Sequence, residues 1–224
     1  MDRRVLWPAV FTIAYIVGAF AFAAVNRNLE FVYYGGMMVA FVVAVGVMDR
    51  RVKFTKLVLW LLAIWGALHM AGGNLPIPPS VSDPPDPAVL YNLRPFAWCP
   101  KFDQVTHAFG FFVGTLAGYE ALRAGLAGQT GHPGRPVRTA MLVTPGIAAG
   151  LACLGMGLGA FNEVVEFVAT RIMTKTNVGG YDNTGWDLVS NMTGACTAAA
   201  WLWWRDRGLV ASGRAASPPP TRAA

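Results

Sequence analysis

Apolar residues fall in long uninterrupted blocks parted by short polar segments, and the blocks have the length a lipid bilayer demands. A helix crossing a hydrocarbon core of about 30 Å needs about 20 residues, and only helices or closed barrels satisfy their backbone there. Six such blocks predict spanning helices at about 5–25, 31–48, 57–72, 102–124, 139–173 and 186–204. The first follows Arg3 and Arg4. It is too long for the apolar core of a cleaved signal and is read as a retained span. The fifth exceeds one straight crossing: either it projects beyond the bilayer, or it bends or breaks at Gly155, Gly157 and Gly159.

The intervening segment 73–100 carries Pro76, Pro78, Pro79, Pro84, Pro85 and Pro87, which predicts an extended, irregular loop because proline supplies no amide donor. The expected architecture is an all-α polytopic membrane helix bundle of about six transmembrane helices. Residues 1–208 form one transmembrane domain, and residues 209–224, with Pro218 to Pro220 and many alanines, form a disordered cytoplasmic tail.

Composition agrees. Only 13% of residues are charged, 54% are hydrophobic and the mean hydropathy is +0.43, whereas soluble domains are about 25% charged. The net charge of +6 would suit nucleic acid if it lay along one face. Here the basic residues cluster between apolar blocks, so no nucleic-acid partner is expected.

Their distribution instead gives an orientation. With the N-terminus inside, Arg3, Arg4, Arg50, Arg51, Lys53, Lys56, Arg123, Arg135, Arg138, Arg205, Arg207, Arg214 and Arg222 face the cytoplasm. Only Arg27, Arg94, Lys101, Arg171 and Lys175 fall outside, a ratio of thirteen to five. Both termini are therefore expected in the cytoplasm of a multi-pass protein of the cell inner membrane. Trp98 and Trp186 suit one interface, and Trp201, Trp203 and Trp204 the other. Cys99, Cys153 and Cys196 form no disulfide framework.

Acidic residues distribute the other way: Glu30, Asp83, Asp86, Asp103, Glu163, Glu166, Asp182 and Asp187 fall on or near the outer side. Asp103 and His107 share a helix face at spacing i, i+4, as do Asp187 and Asn191, while Glu163 and Glu166 are i, i+3 with Asn162 on the same turn. His69 lies near the outer end of the third helix. Each has a plain explanation, such as a hydrogen-bonded histidine, an interfacial pair, or Asp187 capping a helix. Glu120 with Arg123 is expected to be a helix-end ion pair on the cytoplasmic side.

The convergence weighs against coincidence, because an ionised side chain in a bilayer costs about 2.5–3.5 kcal/mol on insertion scales. Several at one depth require mutual pairing, a wet cavity or a cation. Carboxylates with imidazole and an amide oxygen suit a divalent cation such as Zn, Mg or Mn. The expected metal ligands are His69, Asp103, His107, Glu163, Glu166, Asp182, Asp187 and Asn191. The same groups without metal could relay protons. Arg94, Lys101, Arg171 and Lys175 lie on that side and are read as solvated loop charge in preference to a phosphate clamp.

The runs ALHMAGG, VLYNLRPFAWCPKFDQVTHAFGFF, FNEVVEF and GGYDNTGWDLVSNMTGA together resemble the DUF2238, or YjdF-like, inner-membrane proteins. Their order also looks like that of the broader VanZ-like group, which is linked with glycopeptide resistance and so implies envelope biology. The resemblance spans about His69 to Ala195 and implies site positions at Asp103, His107, Glu163, Glu166, Asp182 and Asp187, with Asn191 from the VanZ-like pattern. Phe102 stands where the family commonly has tyrosine before the first aspartate.

The leading expectation is a metal-dependent hydrolase or transferase acting on a lipid head group or lipid-linked envelope precursor. Asp103, His107, Glu163, Glu166 and Asp187 would then be ligands or general acid and base. The alternatives are a non-catalytic protein binding a lipid, antibiotic or partner, and an ion- or proton-coupled transporter. Against the transporter, no inverted repeat is visible.

Overall fold

The computed structural model describes residues 2–83, 87–129, 141–174 and 176–211. Among them six long α-helices run in sequence: α1 Arg3–Val25, α2 Leu29–Val52, α3 Lys56–Gly72, α4 Phe102–Gln129, α5 Pro145–Ile172 and α6 Tyr181–Ala211. The helices start at side chains suited to the task. Asp2, Asn28, Thr55 and Thr144 each accept from an amide of the first turn, and Pro145 takes the first helical position of α5, where no amide donor is needed.

Most helices outrun the expected apolar blocks. The fifth is one unbroken helix from Pro145 to Ile172, beginning later than 139, and its glycines do not break it. Gly155 and Gly159 are instead contact points: a Cβ on Gly155 would meet Ala195 Cβ at 2.7 Å, and one on Gly159 would meet Asn191 Cβ at 2.7 Å. The sixth begins at Tyr181, ahead of 186. Residues 139 and 140, Asp86, His132, Lys175 and the tail beyond 211 lie outside the described residues.

The described residues of segment 73–100 are more ordered than the prolines suggest. They fold back on themselves, with Ile77 N donating to Ala88 O and Leu90 N to Leu75 O, both at 2.9 Å, and Arg94 N to Val81 O at 2.8 Å. Pro79 opens a short 3-10 turn, Pro79–Val81, at a position that needs no amide donor.

The centre of the molecule is the trio α4, α5 and α6. Asp103 and His107 on α4 lie beside Asp187 and Asn191 on α6, and Tyr119 lies beside Arg205, so α4 and α6 run parallel. α5 runs back between their ends, with Glu163 near Asn191 and Val143, just before it, bonded to Asp206. Gly194 brings α6 against the α4 backbone, since a Cβ there would lie 2.9 Å from Phe112 N and closer still to Ala108 O.

The two ends of the bundle are distinct. At one, Arg4 grips Asp49 with two bonds of 2.8 Å and also donates to Phe54 O. Glu120 there accepts from both Thr55 N and Thr55 Oγ1, at 2.8 and 2.7 Å, so it caps α3, while Arg123 lies over the Tyr119 ring at 5.0 Å. At the other end, Glu30 accepts from Asn177 N at 2.9 Å and Asn177 Oδ1 accepts from Asn92 at 3.0 Å, tying α2 to both long connections.

Helices α1, α2 and α5 are each long and apolar enough to cross a membrane, and α3 is a shorter apolar helix. Large apolar side chains such as Ile13, Val17, Phe161 and Phe167 point outward, as expected where the solvent is lipid.

A buried carboxylate–histidine site

Three helices deliver the site. The first turns of α4 present Asp103 and His107 on one face, the late turns of α5 present Asn162, Glu163 and Glu166, and the first turns of α6 present Asn183, Asp187 and Asn191 at steps of four residues. His107 is the hub and is 4% exposed; Asp187 and Asn191 are 0% and 1% exposed.

His107 Nδ1 lies 3.0 Å from Asn191 Oδ1, an acceptor, so this nitrogen carries the proton. Asn191 passes the contact on, donating from Nδ2 to Glu163 Oε1 at 3.2 Å, and that oxygen is 3.4 Å from Nδ1. The other ring nitrogen, Nε2, faces Asp103 Oδ1 at 3.5 Å and Glu166 Oε1 at 3.7 Å. Asn162 donates to Glu166 Oε1 at 2.8 Å, and Asn183 donates to Asp187 Oδ2 at 2.6 Å. Donor atoms of Asp103, His107 and Asp187 lie within 4.8 Å of one another, as do those of His107, Glu163 and Glu166.

Two carboxylate oxygens of this cluster, Glu163 Oε2 and Asp187 Oδ1, are buried with no hydrogen-bond partner among the described residues. Leaving such an atom bare costs about 1–3 kcal/mol, and more when it is charged. A cavity of about 320 Å³ opens beside Glu163, between α5 and the start of α6, lined by Phe167, Thr170, Gly179 and Thr184. Gly179 has φ +76°, and a Cβ there would sit 2.7 Å from Asn183 Cβ, so glycine lets the turn hold Asn183 against Asp187.

Among the residues singled out from sequence, Asp103, His107, Glu163, Glu166, Asp187 and Asn191 come together. His69 does not join either set of converging donors. It sits on α3 between Trp65 and Tyr91, with Nδ1 2.6 Å from Tyr91 Oη, while the same hydroxyl contacts His69 O at 2.9 Å. One hydroxyl proton satisfies both contacts when it goes to the carbonyl and Nδ1–H donates to the phenol. Burial raises the Tyr91 phenol well above its ordinary range, which keeps that proton in place at neutral pH. Asp182 is exposed on the first turn of α6, one turn before Asp187 and off its face.

Asn183 was not legible as a site residue, although its spacing to Asp187 is the signal that marked Asn191. Tyr91 carried no signal. Arg94 and Lys101 both bond Asp83, at 3.1 and 3.4 Å, forming an ion cluster in the loop before α4.

A family model for predicted membrane proteins, DUF2238, matches residues 6–208. The chain belongs to that family. The DUF2238 match covers all six long helices wholly or in part, and every residue of the cluster lies inside it. No curated protein and no solved structure matches the chain. The cluster of this DUF2238 protein is thus a property of a membrane protein, in which polar groups buried together demand a reason.

Proposed function

We propose that the cluster holds a divalent cation and that the protein is a metal-assisted hydrolase or transferase acting on a lipid head group or lipid-linked envelope precursor. The observation that carries this is the pair of partnerless buried oxygens, Glu163 Oε2 and Asp187 Oδ1, in a site with four carboxylates around one imidazole. That balance of charge calls for a cation or bound protons. The spacing supports a cation. Nε2 stands 3.5 and 3.7 Å from its two facing oxygens, beyond ordinary hydrogen-bond length. Ligands about 2.1 Å from a shared tetrahedral ion lie about 3.4 Å apart.

In this reading Nε2 of His107, Asp103, Glu166 and Asp187 are ligands, with Zn, Mg or Mn as the ion. Asn191 orients His107 through Nδ1, as partners of metal-bound histidines do. Glu163, bonded to Asn191 and bordering the open cavity, is placed to take a proton from water. A cation here would polarise a phosphoryl oxygen or acidify bound water.

The protein would be multi-pass in the cell inner membrane. Nine described Lys and Arg residues gather at the end holding Arg4 and Asp49, and four at the site end, which supports a site facing outward and termini facing the cytoplasm. The runner-up is a non-catalytic lipid- or partner-binding protein in which the amide bridges from Asn162, Asn183 and Asn191 lock the helices.

The deciding assay reconstitutes the protein with inner-membrane lipids and follows head-group release by mass spectrometry. Release that stops with chelator and in Glu163→Gln supports catalysis. Release indifferent to both removes the cluster from the chemistry.

A further inference from the structure

A second cavity, of about 260 Å³, lies between α2, α3, α4 and α5. Its walls are apolar, formed by Met37, Phe41, Leu62, Gly114, Leu158 and Phe161. Its polar lining is the Trp65 indole together with Tyr34, His69 and Asn162, and the Tyr34 and His69 rings stand 6.0 Å apart. α2 packs on α1, α3 and α4 but not along α5, and the Tyr33 hydroxyl reaches Val165 O at 3.4 Å across the gap. The cavity is therefore a lateral crevice, and Met37 and Phe161 at its mouth are 37% and 65% exposed.

We propose that this crevice seats one acyl chain of a membrane lipid, with the head group directed toward the carboxylate cluster. Length and polarity choose a lipid chain. The crevice extends from His69 back to Leu62 on α3. The seven helical steps between them span about 10 Å, roughly two thirds of the hydrocarbon depth of one leaflet. Tyr34, His69 and Asn162 lie toward the end that adjoins the cluster, and the far end at Leu62, Gly114 and Leu158 is apolar, as a lipid's own polarity runs.

The polar end is the one beside the cluster. Asn162 lines the crevice and donates to Glu166 Oε1, and Phe111 lines it while its ring stands 6.2 Å from that of His107. The Tyr34 hydroxyl at this end is buried with no partner among the described residues, so a donor is available for a lipid carbonyl or head-group oxygen. The inference rests on the proposed catalytic reading only for what happens to the head group; the seat itself needs no metal.

The test reconstitutes the full chain in phosphatidylcholine–phosphatidylglycerol vesicles carrying a trace of phospholipid with a diazirine midway along one acyl chain. After irradiation, adducts are mapped by mass spectrometry. The expected result is several-fold enrichment on the segments holding Met37 and Phe161 over the exposed α1 positions Ile13 and Val17. Gly114→Leu should remove the enrichment by filling the crevice. A Cβ at 114 meets only Leu158 Cδ1 at 3.6 Å and Phe111 Cδ1 at 3.9 Å, so there is room for the side chain to enter. Met37→Trp, blocking the mouth, should do the same and serves if Gly114→Leu does not fold.

Uniform labelling of the outer faces, or enrichment unchanged in folded variants, overturns the seat. So does absence of label accompanied by cross-links between two copies across the crevice. Metal content of the same samples separates the two claims. Enrichment without metal keeps the seat and removes the catalytic reading, whereas metal with uniform labelling removes the seat alone.

Discussion

Asn191 accepts from His107 Nδ1 and donates to Glu163 Oε1, so a single amide fixes the ring of one group and the rotamer of another. Asn191→Leu should lower metal affinity by about 10–100-fold, the usual cost of losing a partner that orients a ligand. It should also lower the melting temperature, because His107 and Glu163 would remain buried with fewer bonds. Asp182→Ala, exposed and off the cluster, should leave metal affinity unchanged and stability within about 0.5 kcal/mol; titration and thermal melts of the pair check both. Asp103, His107, Glu163, Glu166, Asp187 and Asn191 could be picked from sequence because helical spacing places each pair on one face. His69 could not be excluded, because nothing in sequence tells that its ring is taken up by Tyr91, a residue from a loop folded back over α3.

Helix ends and helix contacts were harder to read than helix identities. Apolar blocks mark where lipid must be, not where backbone hydrogen bonding stops, so α2 runs from Leu29 to Val52 and α6 starts at Tyr181. Glycines at 155 and 159 look like breaks in a linear pattern and become contacts only when Thr115, Ala195 and Asn191 are brought opposite them. Gly194→Val should force α4 and α6 apart and cost about 1–3 kcal/mol as overpacking, or prevent folding. Glu120, 65 residues from its partner Thr55, has no sequence signal as a cap. Glu120→Ala should destabilise the start of α3 by about 1 kcal/mol. Gly194→Val should then be the more harmful of the two in thermal melts in detergent.

The polarity of the bundle joins these pieces. Arg4, Asp49, Thr55, Glu120 and Asp206 knit one end, where nine of the thirteen described Lys and Arg residues gather. The other end holds the carboxylate–histidine cluster, with the crevice lined by Asn162 and Phe111 beside it. Membrane residence and an all-helical fold were legible because lipid selects by length and hydropathy. The convergence of acids was only suggested, since no spacing within one helix reports on two others. Whether the convergence exists to hold an ion is decided by metal analysis of protein purified without chelator, beside Asp103→Asn and His107→Ala. About one divalent ion per chain is expected in the wild type, with near-complete loss in both variants provided they fold. Metal-free wild-type protein, or equal metal in all three, would contradict an ion site.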